Sequence, residues 1–475
     1  MNLWLLVLLL HIAASHKILV YNVKFAHSHG NFLGNIADTL AEAGHNVTSL
    51  ISEVTSVLDD CTTKSTIIRV PPGPGIEERY NAIGSDDVNF FEINLFNPLH
   101  MYGLGAFVAR SLSDQCDFLL QHVDLLESLK KEHYDVYIFE NFEMCGTGLS
   151  ELIQAKSMIM VSTTILHGEQ KTEVGLPTVP SYDPAAHTSV FDVHSFWSRA
   201  WNLYAEYLEQ SHFHMIRRAV LAKFRARFGP AFPDFVQISS RIAYSFANTD
   251  PLLDVAVPTI SRVVDIGGLG TKQPKALNEH WSSILALRPR SVLISFGSLA
   301  KSASLHPAAK QSILKVAQAF PDITFIWKYE HPEDEFSSKV SESFDNIVLT
   351  KWMPQNDLLN HQRVVLFVTH GGMGSVQETA RAGVPAIFVP LFGEQPRNAF
   401  VMEKNGFGKV FNKYELHDGD KLVEAVKELL EDESYRLNTR KVARMLARKP
   451  FSSRELLLRY VDFAAEFGPC PALRP

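Results

Sequence analysis

The sequence predicts an α/β protein built from two doubly wound parallel-sheet units of similar size that face each other across a cleft. Three observations predict it. Short apolar runs rich in β-branched residues alternate with helical patterns along most of the chain, the signature of parallel strands joined by crossover helices. The runs fall into two sets separated by a stretch with no long apolar run. The 475 residues exceed what one ordinary core organises, so two large units fit the length.

The elements follow in order. MNLWLLVLLLHIAAS, residues 1–15, is an apolar run ending in small residues, with Ala13 and Ser15 at the −3 and −1 positions of a cleavage site. It reads as a secretory signal, and the missing basic n-region keeps a buried N-terminal strand as the alternative. The first unit, 16–266, opens with the strand Lys17 to Tyr21, a helix from Asn31 to Ala43 stopped by Gly44, and the strand Val47 to Ile51. The strand Asp135 to Phe139, the helix Thr147 to Gln154 and the strand Met158 to Ser162 repeat the plan. The intervening chain, and again Ser181 to Asp234, is aromatic-rich and reads as less regular.

Residues 267–290, with Pro274 and Pro289, read as the linker. The second unit, 291–450, has strands at Val292 to Phe296, Ile323 to Trp327, Ile347 to Thr350, Val364 to Thr369 and Ala386 to Pro390. Three helical patterns follow Asp418, the last running into a C-terminal segment, 451–475. In such folds ligands bind at the carboxyl ends of the strands.

Composition excludes several classes. With 46% apolar and 20% charged residues and no low-complexity tract, the chain is globular. A net charge of −7 with scattered Lys and Arg argues against nucleic-acid binding. After the signal no window has the roughly 18–20 apolar residues of a spanning helix, so the mature chain is expected to be soluble. Cys61, Cys116, Cys145 and Cys470 have no CxxC or Cys/His metal spacing, and no disulfide scaffold is expected. The sequon at Asn46 falls between a helix and a strand, where half-burial would disfavour glycosylation.

The most informative stretch is WMPQNDLLNHQRVVLFVTHGGMGSVQETARAGVPAIFVPLFGEQPRNA, residues 352–399. A strand delivers His370, Gly371 and Gly372 into a tight turn before a helix, with Gly374 following. Backbone N–H groups and the positive helix end at such a turn suit a diphosphate. Ser375 and Glu378, three apart, share one helix face, where the hydroxyl can meet a phosphate and the carboxylate ribose hydroxyls. S-x-x-E is equally the pattern of a capping box. Trp352 and Gln355 offer a flat face beside an amide, as a pyrimidine needs, and Trp352 as a core residue is the competing reading.

This stretch resembles the UDP-glycosyltransferase signature of the UDP-glucuronosyltransferase and glucosyltransferase type, and the resemblance extends more loosely over nearly the whole chain. It implies two Rossmann-like domains in the GT-B arrangement, with the second binding a UDP-sugar. It implies uracil stacking on Trp352, Gln355 on the nucleoside, Ser298 in the SFGS turn on the diphosphate, and Glu394 and Gln395 on the sugar. The donor half departs from the family in two places: Glu394 stands where many relatives carry Asp, and Gly374-Ser375 where many animal relatives have Asn-Gly.

Transfer to a hydroxyl needs a base, and VKFAHSHGNF offers His27 and His29. The resemblance selects His29 and gives it a carboxylate partner, matched by Glu140, again where the family has Asp, with Glu143 competing. The expected reaction is an in-line inverting transfer of glucose or glucuronic acid to a small lipophilic acceptor, with no metal and no cofactor beyond the UDP-sugar co-substrate. The acceptor pocket is expected in the aromatic-rich first unit. Relatives carry a spanning helix and basic tail after this segment, whereas this chain stops at Pro475. The lumen of the endoplasmic reticulum, or secretion, is therefore expected, with detoxification as the role; contact of the first unit with a membrane, and a homo-oligomer, stay open. A UDP-sugar epimerase and a non-catalytic binder of lipophilic molecules are the alternatives.

Overall fold

A computed structural model describes residues 15–83, 89–189 and 191–469. The signal, apart from Ser15, and Cys470 lie outside them. The strands are β1 Lys17–Lys24, β2 Asn46–Glu53, β3 Thr66–Val70, β4 Val136–Glu140, β5 Ser157–Ser162, β6 Tyr244–Ala247 and β7 Val263–Asp265 in the first half. The second half adds β8 Arg290–Ser295, β9 Ile323–Lys328, β10 Ile347–Thr350, β11 Val364–Thr369, β12 Ala386–Phe388 and β13 Gly408–Val410. They form two parallel sheets, ordered β3-β2-β1-β4-β5-β6-β7 and β10-β9-β8-β11-β12-β13. The strand order reverses at β1/β4 in one sheet and at β8/β11 in the other, and at such switch points an open parallel sheet leaves a crevice.

Central strands are near-continuous buried apolar runs, because helices cover both faces of each sheet. The helix Ser453–Phe467 lays Leu457, Val461 and Ala464 on the first sheet, in one core cluster with Ile18, Ile138 and Ile159. Lys156 Nζ ties its end through the carbonyls of Ala465 and Glu466, both at 2.7 Å. In return Phe90 and Phe91 of the first half insert into the second core. Arg397 adds a buried bridge, bonding the Pro184 carbonyl at 2.9 Å and pairing with Asp183 at 3.2 Å and Asp254 at 2.8 Å.

Several elements differ from the sequence expectation. Ser181 to Asp234 is not irregular: Phe196–Phe228 is one 33-residue helix, packed against the 23-residue helix Pro98–Leu120. Phe196, Trp197, Trp201, Leu203 and Tyr207 point to solvent, which erases the single apolar stripe that periodicity detects. The supposed linker contains the helix Glu279–Ala286, which buries Trp281, Ile284 and Leu285 in the second unit. Asn46 is exposed at the start of β2, so the half-burial argument against its glycosylation does not hold. Cys116 and Cys145 form a disulfide joining Pro98–Leu120 to the helix Cys145–Ile153, a pairing that spacing alone did not reveal.

Candidate active site

The two switch points open on one cleft with a cavity of about 730 Å³, lined from both halves by His29, Phe142, Ser298, Trp352, His370 and Glu394 among others. Apart from Gly371, every donor-side residue named from the sequence lines it. Glu140 lies behind His29.

His29 follows β1 and Glu140 ends β4, neighbouring strands at the switch point, so parallel pairing brings residues 111 apart in sequence into contact. The helix expected from Asn31 already begins at His27, which puts both histidines in its first turn. Within this helix Gly34 sits so close to the Cys61 carbonyl that a Cβ would overlap it. His29 Nδ1 lies 2.8 and 2.9 Å from the two Glu140 oxygens. Thr163, which the sequence did not single out, braces the pair: its Oγ1 is 2.8 Å from Nδ1 and donates to Glu140. Burial lowers the proton affinity of His29, but the charge and hydrogen bond of Glu140, with the charge of Glu394 across the cleft, outweigh it and raise the pKa. Glu143 is engaged elsewhere, accepting from the N–H groups of Cys145 at 2.7 Å and Gly146 at 3.1 Å. Burial pushes its carboxyl up to about 8. His27 instead meets Trp352 edge-on at 6.0 Å.

On the other side, β11 ends in the turn that starts the helix Met373–Ala382. Its N-cap is Gly372, which makes Ser375 the third helical residue and removes the capping-box reading. Gln355 Nε2 donates to Ser375 Oγ at 3.1 Å and to Glu378 Oε2 at 2.7 Å, so these three form one cluster. Burial raises Glu378 to about 7, against the hydrogen bond from Gln355. His370 is wedged between two glycines: a Cβ at Gly297 or Gly372 would stand 2.7 or 2.6 Å from its Nε2. Burial, then the charge of Lys328, lowers His370 to about 4, so at neutral pH the ring is a hydrogen-bonding group and not a cation. Its Nδ1 has no protein partner. A Cβ at Gly374 would meet only open space.

Lys328 also lies at this end, missed in the sequence because it ends an otherwise apolar strand; its Nζ donates to the Gly297 carbonyl and to Glu330 Oε1, both at 2.8 Å, and lies 5.8 Å over the Trp352 ring. Trp352 is 60% exposed, which rules it out as a core residue and leaves an indole face free. Ser298 is exposed and lines the same cleft. Gln395 uses its carbonyl oxygen on the N–H groups of Leu391 at 2.9 Å and Phe392 at 3.2 Å, so only its amide NH₂ remains for a ligand. Glu394 caps the helix Gln395–Lys404 without a tight partner. Among the described residues no cluster of metal-ligating side chains occurs, and no helix is long and apolar enough to cross a membrane.

Two switch-point crevices that share a cleft, one with a histidine–carboxylate pair and one with a glycine turn, define the class of two-domain nucleotide-sugar transferases. Residues 16–475 match the family model of UDP-glucuronosyl and UDP-glucosyl transferases, and the chain belongs to that family. The Caenorhabditis elegans protein ugt-48 is 30% identical over 96% of this chain and 87% of its own length. UDP-glucuronosyltransferase 1A8 of Rattus norvegicus is 26% identical over 94% and 83%. The fold is similar to that of the glycotransferase of kitacinnamycin, at TM-score 0.62 and 16% identity over 95% of this chain and 99% of that one. It is also similar to Phytolacca americana UGT2 complexed with UDP-2fluoro-glucose and pterostilbene, at 0.59 and 18% over 95% and 100%. The fold is GT-B, and the chain is a glycosyltransferase that moves a sugar from a UDP-sugar to an acceptor. The epimerase alternative is set aside by that membership.

Proposed function

We propose that this enzyme transfers a hexose, glucose or glucuronic acid, to a hydroxyl of a small lipophilic acceptor with inversion at the anomeric carbon, and that His29 is the base. The observation that carries the reading is the His29–Glu140 pair. With Nδ1 held by the carboxylate, the proton sits on Nδ1, and Nε2 is the nitrogen free to take the acceptor's proton. Glu140 then stabilises the imidazolium as it forms.

The UDP leaves against the N-terminus of Met373–Ala382, Ser298, Ser375 and the neutral His370, with Lys328 supplying positive charge. Uracil stacks on Trp352, Gln355 bonds the nucleoside, Glu378 takes the ribose hydroxyls, and Glu394 with the Gln395 amide holds the sugar. Gly372 keeps its backbone close to the phosphates, and Gly374 leaves open the space a side chain would fill. The apolar wall of Phe25, Tyr80, Leu104, Phe107, Phe142 and Phe213 supports the lipophilic acceptor. The buried Cys116–Cys145 disulfide favours an oxidising compartment, the endoplasmic reticulum lumen or the exterior.

Mass spectrometry of products from mixed UDP-glucose and UDP-glucuronate with a panel of phenols and sterols tests the reaction and donor together. A β-glycoside is expected, and failure to form one overturns the reading. His29→Ala is expected to abolish most turnover while UDP still binds; retained turnover removes His29 as the base.

A further inference from the structure

The acceptor side of the cleft holds a second histidine–carboxylate pair. His167 Nδ1 is 2.6 Å from Glu209 Oε1, both side chains are buried, and the other carboxylate oxygen accepts from the Ala186 N–H at 3.0 Å. The two pairs are joined through adjacent residues at the end of β5. Thr163 braces His29 and Glu140, while Thr164 Oγ1 lies 3.2 Å from His167 Nε2. His187 and His212 complete the cluster, and they, with His167 and Glu209, line the cleft.

This cluster is incomplete. The Nδ1 of His187 and the Oγ of Ser111, another cleft residue, are buried with no hydrogen-bond partner in the protein. His187 is only 6% exposed. Buried polar atoms are almost always bonded, so orphans lining one cavity point to a ligand that completes them. The second cluster is reached from the base along tilted and edge-on rings: His29 to Phe142 at 5.2 Å, Phe142 to Phe213 at 5.6 Å, and Phe213 to His167 at 4.8 Å. The rings of Phe142 and Phe213 therefore lie between the two histidine–carboxylate pairs.

Resting on the transferase reading, we infer that the preferred acceptor is a two-ended lipophilic molecule: one hydroxyl at His29 receives the sugar, and a second, uncharged hydroxyl is anchored at the His187 end. Charge selects a hydroxyl over a carboxylate there. Burial works against the Glu209 charge, but His167 beside it holds the carboxyl well below the usual range, so Glu209 is an anion. Burial lowers both His187 and His212, so neither ring brings a positive charge to a second anion. A neutral hydroxyl both donates and accepts, and satisfies a neutral imidazole in either tautomer.

The test compares three acceptors with two linked rings: 4-phenylphenol, 4,4′-dihydroxybiphenyl and 4′-hydroxybiphenyl-4-carboxylate. A site built to bond a hydroxyl discriminates against the analogue that lacks it. In the wild type kcat/KM for the diol is expected to exceed that for the monophenol by about tenfold beyond the statistical factor of two, with the carboxylate poorest. In His187→Leu the diol preference is expected to collapse to the statistical factor. Dissociation constants of the three compounds, titrated by tryptophan fluorescence on wild-type protein, are expected in the same order. That second measurement needs neither turnover nor a folded variant. Equal kcat/KM and equal Kd for diol and monophenol, a preferred carboxylate, or a diol preference unchanged in His187→Leu overturns the inference. Diol-selective binding without any glycoside from any donor overturns the transferase reading and leaves the anchor standing.

Discussion

Replacing Glu140 by Gln removes the charge that holds His29 basic while keeping the shape of the side chain. In the native protein both carboxylate oxygens lie within 2.9 Å of Nδ1, and the net effect on His29 is an upward shift. The acid limb of kcat/KM therefore falls above pH 6.5, because the base must be neutral to accept a proton. With Gln at 140, burial, the largest influence on this ring, is opposed only by the more distant Glu394, and the limb moves below the unperturbed value. The rate at neutral pH is expected to fall by about 10²–10⁴, roughly 3–5 kcal/mol, as the imidazolium loses its counter-charge and the ring its enforced tautomer.

The assay is initial-rate kcat/KM across about pH 5 to 9, with UDP affinity measured alongside. A lowered rate with an unmoved acid limb reduces Glu140 to a structural support, and an unchanged rate refutes the base assignment as a pair. Glu140→Asp retracts the carboxylate by about 1.5 Å, one C–C bond, and stretches the contact to about 4 Å. Its rate is expected to fall too, even though Asp is the family's usual residue. Because the folded pKa of His29 is raised, the pair's stabilisation is complete below pH 6.5 and is lost as pH rises through the folded value. Glu140→Gln is accordingly expected to lower the thermal midpoint most at acid pH.

Gly297→Ala puts a Cβ 2.7 Å from His370 Nε2 at a backbone φ of +89°, so UDP affinity is expected to drop at least about tenfold by calorimetry, and unchanged affinity removes the turn from the site. Glu378, raised to about 7, is expected to ionise when ribose hydroxyls donate to it; UDP binding at pH 7 then releases up to about half a proton, read as a buffer-dependent binding enthalpy that disappears in Glu378→Gln. Removing the disulfide as Cys116→Ala/Cys145→Ala frees a loop spanning a sequence separation of 29 and is expected to cost about 3–4 kcal/mol in guanidinium unfolding, with a cost near zero contradicting the chain-entropy account.

The candidate donor residues other than Ser298 could be grouped from the sequence because they are local. Trp352, Gln355, His370, Ser375, Glu378, Glu394 and Gln395 fall within 48 consecutive residues, and strand, turn and helix register fixes which of them share a face. The strands were legible for a related reason: a strand covered by helices on both faces must be apolar throughout, and that composition is written in the sequence. Sequence could also suggest His29 and Glu140 one by one.

Only the tertiary structure decided that Glu140 and not Glu143 reaches His29, that Thr163 braces them, and that Lys328 faces the glycine turn. These are meetings across parallel strands and long crossovers, and no local pattern encodes which distant side chain a buried polar atom will find. The same holds for Cys116–Cys145, for His167–Glu209 and for the long helix Phe196–Phe228, whose outward rings hid its period. Local physics sets what each segment becomes, and packing of segments far apart in the chain sets which chemistry their side chains perform together.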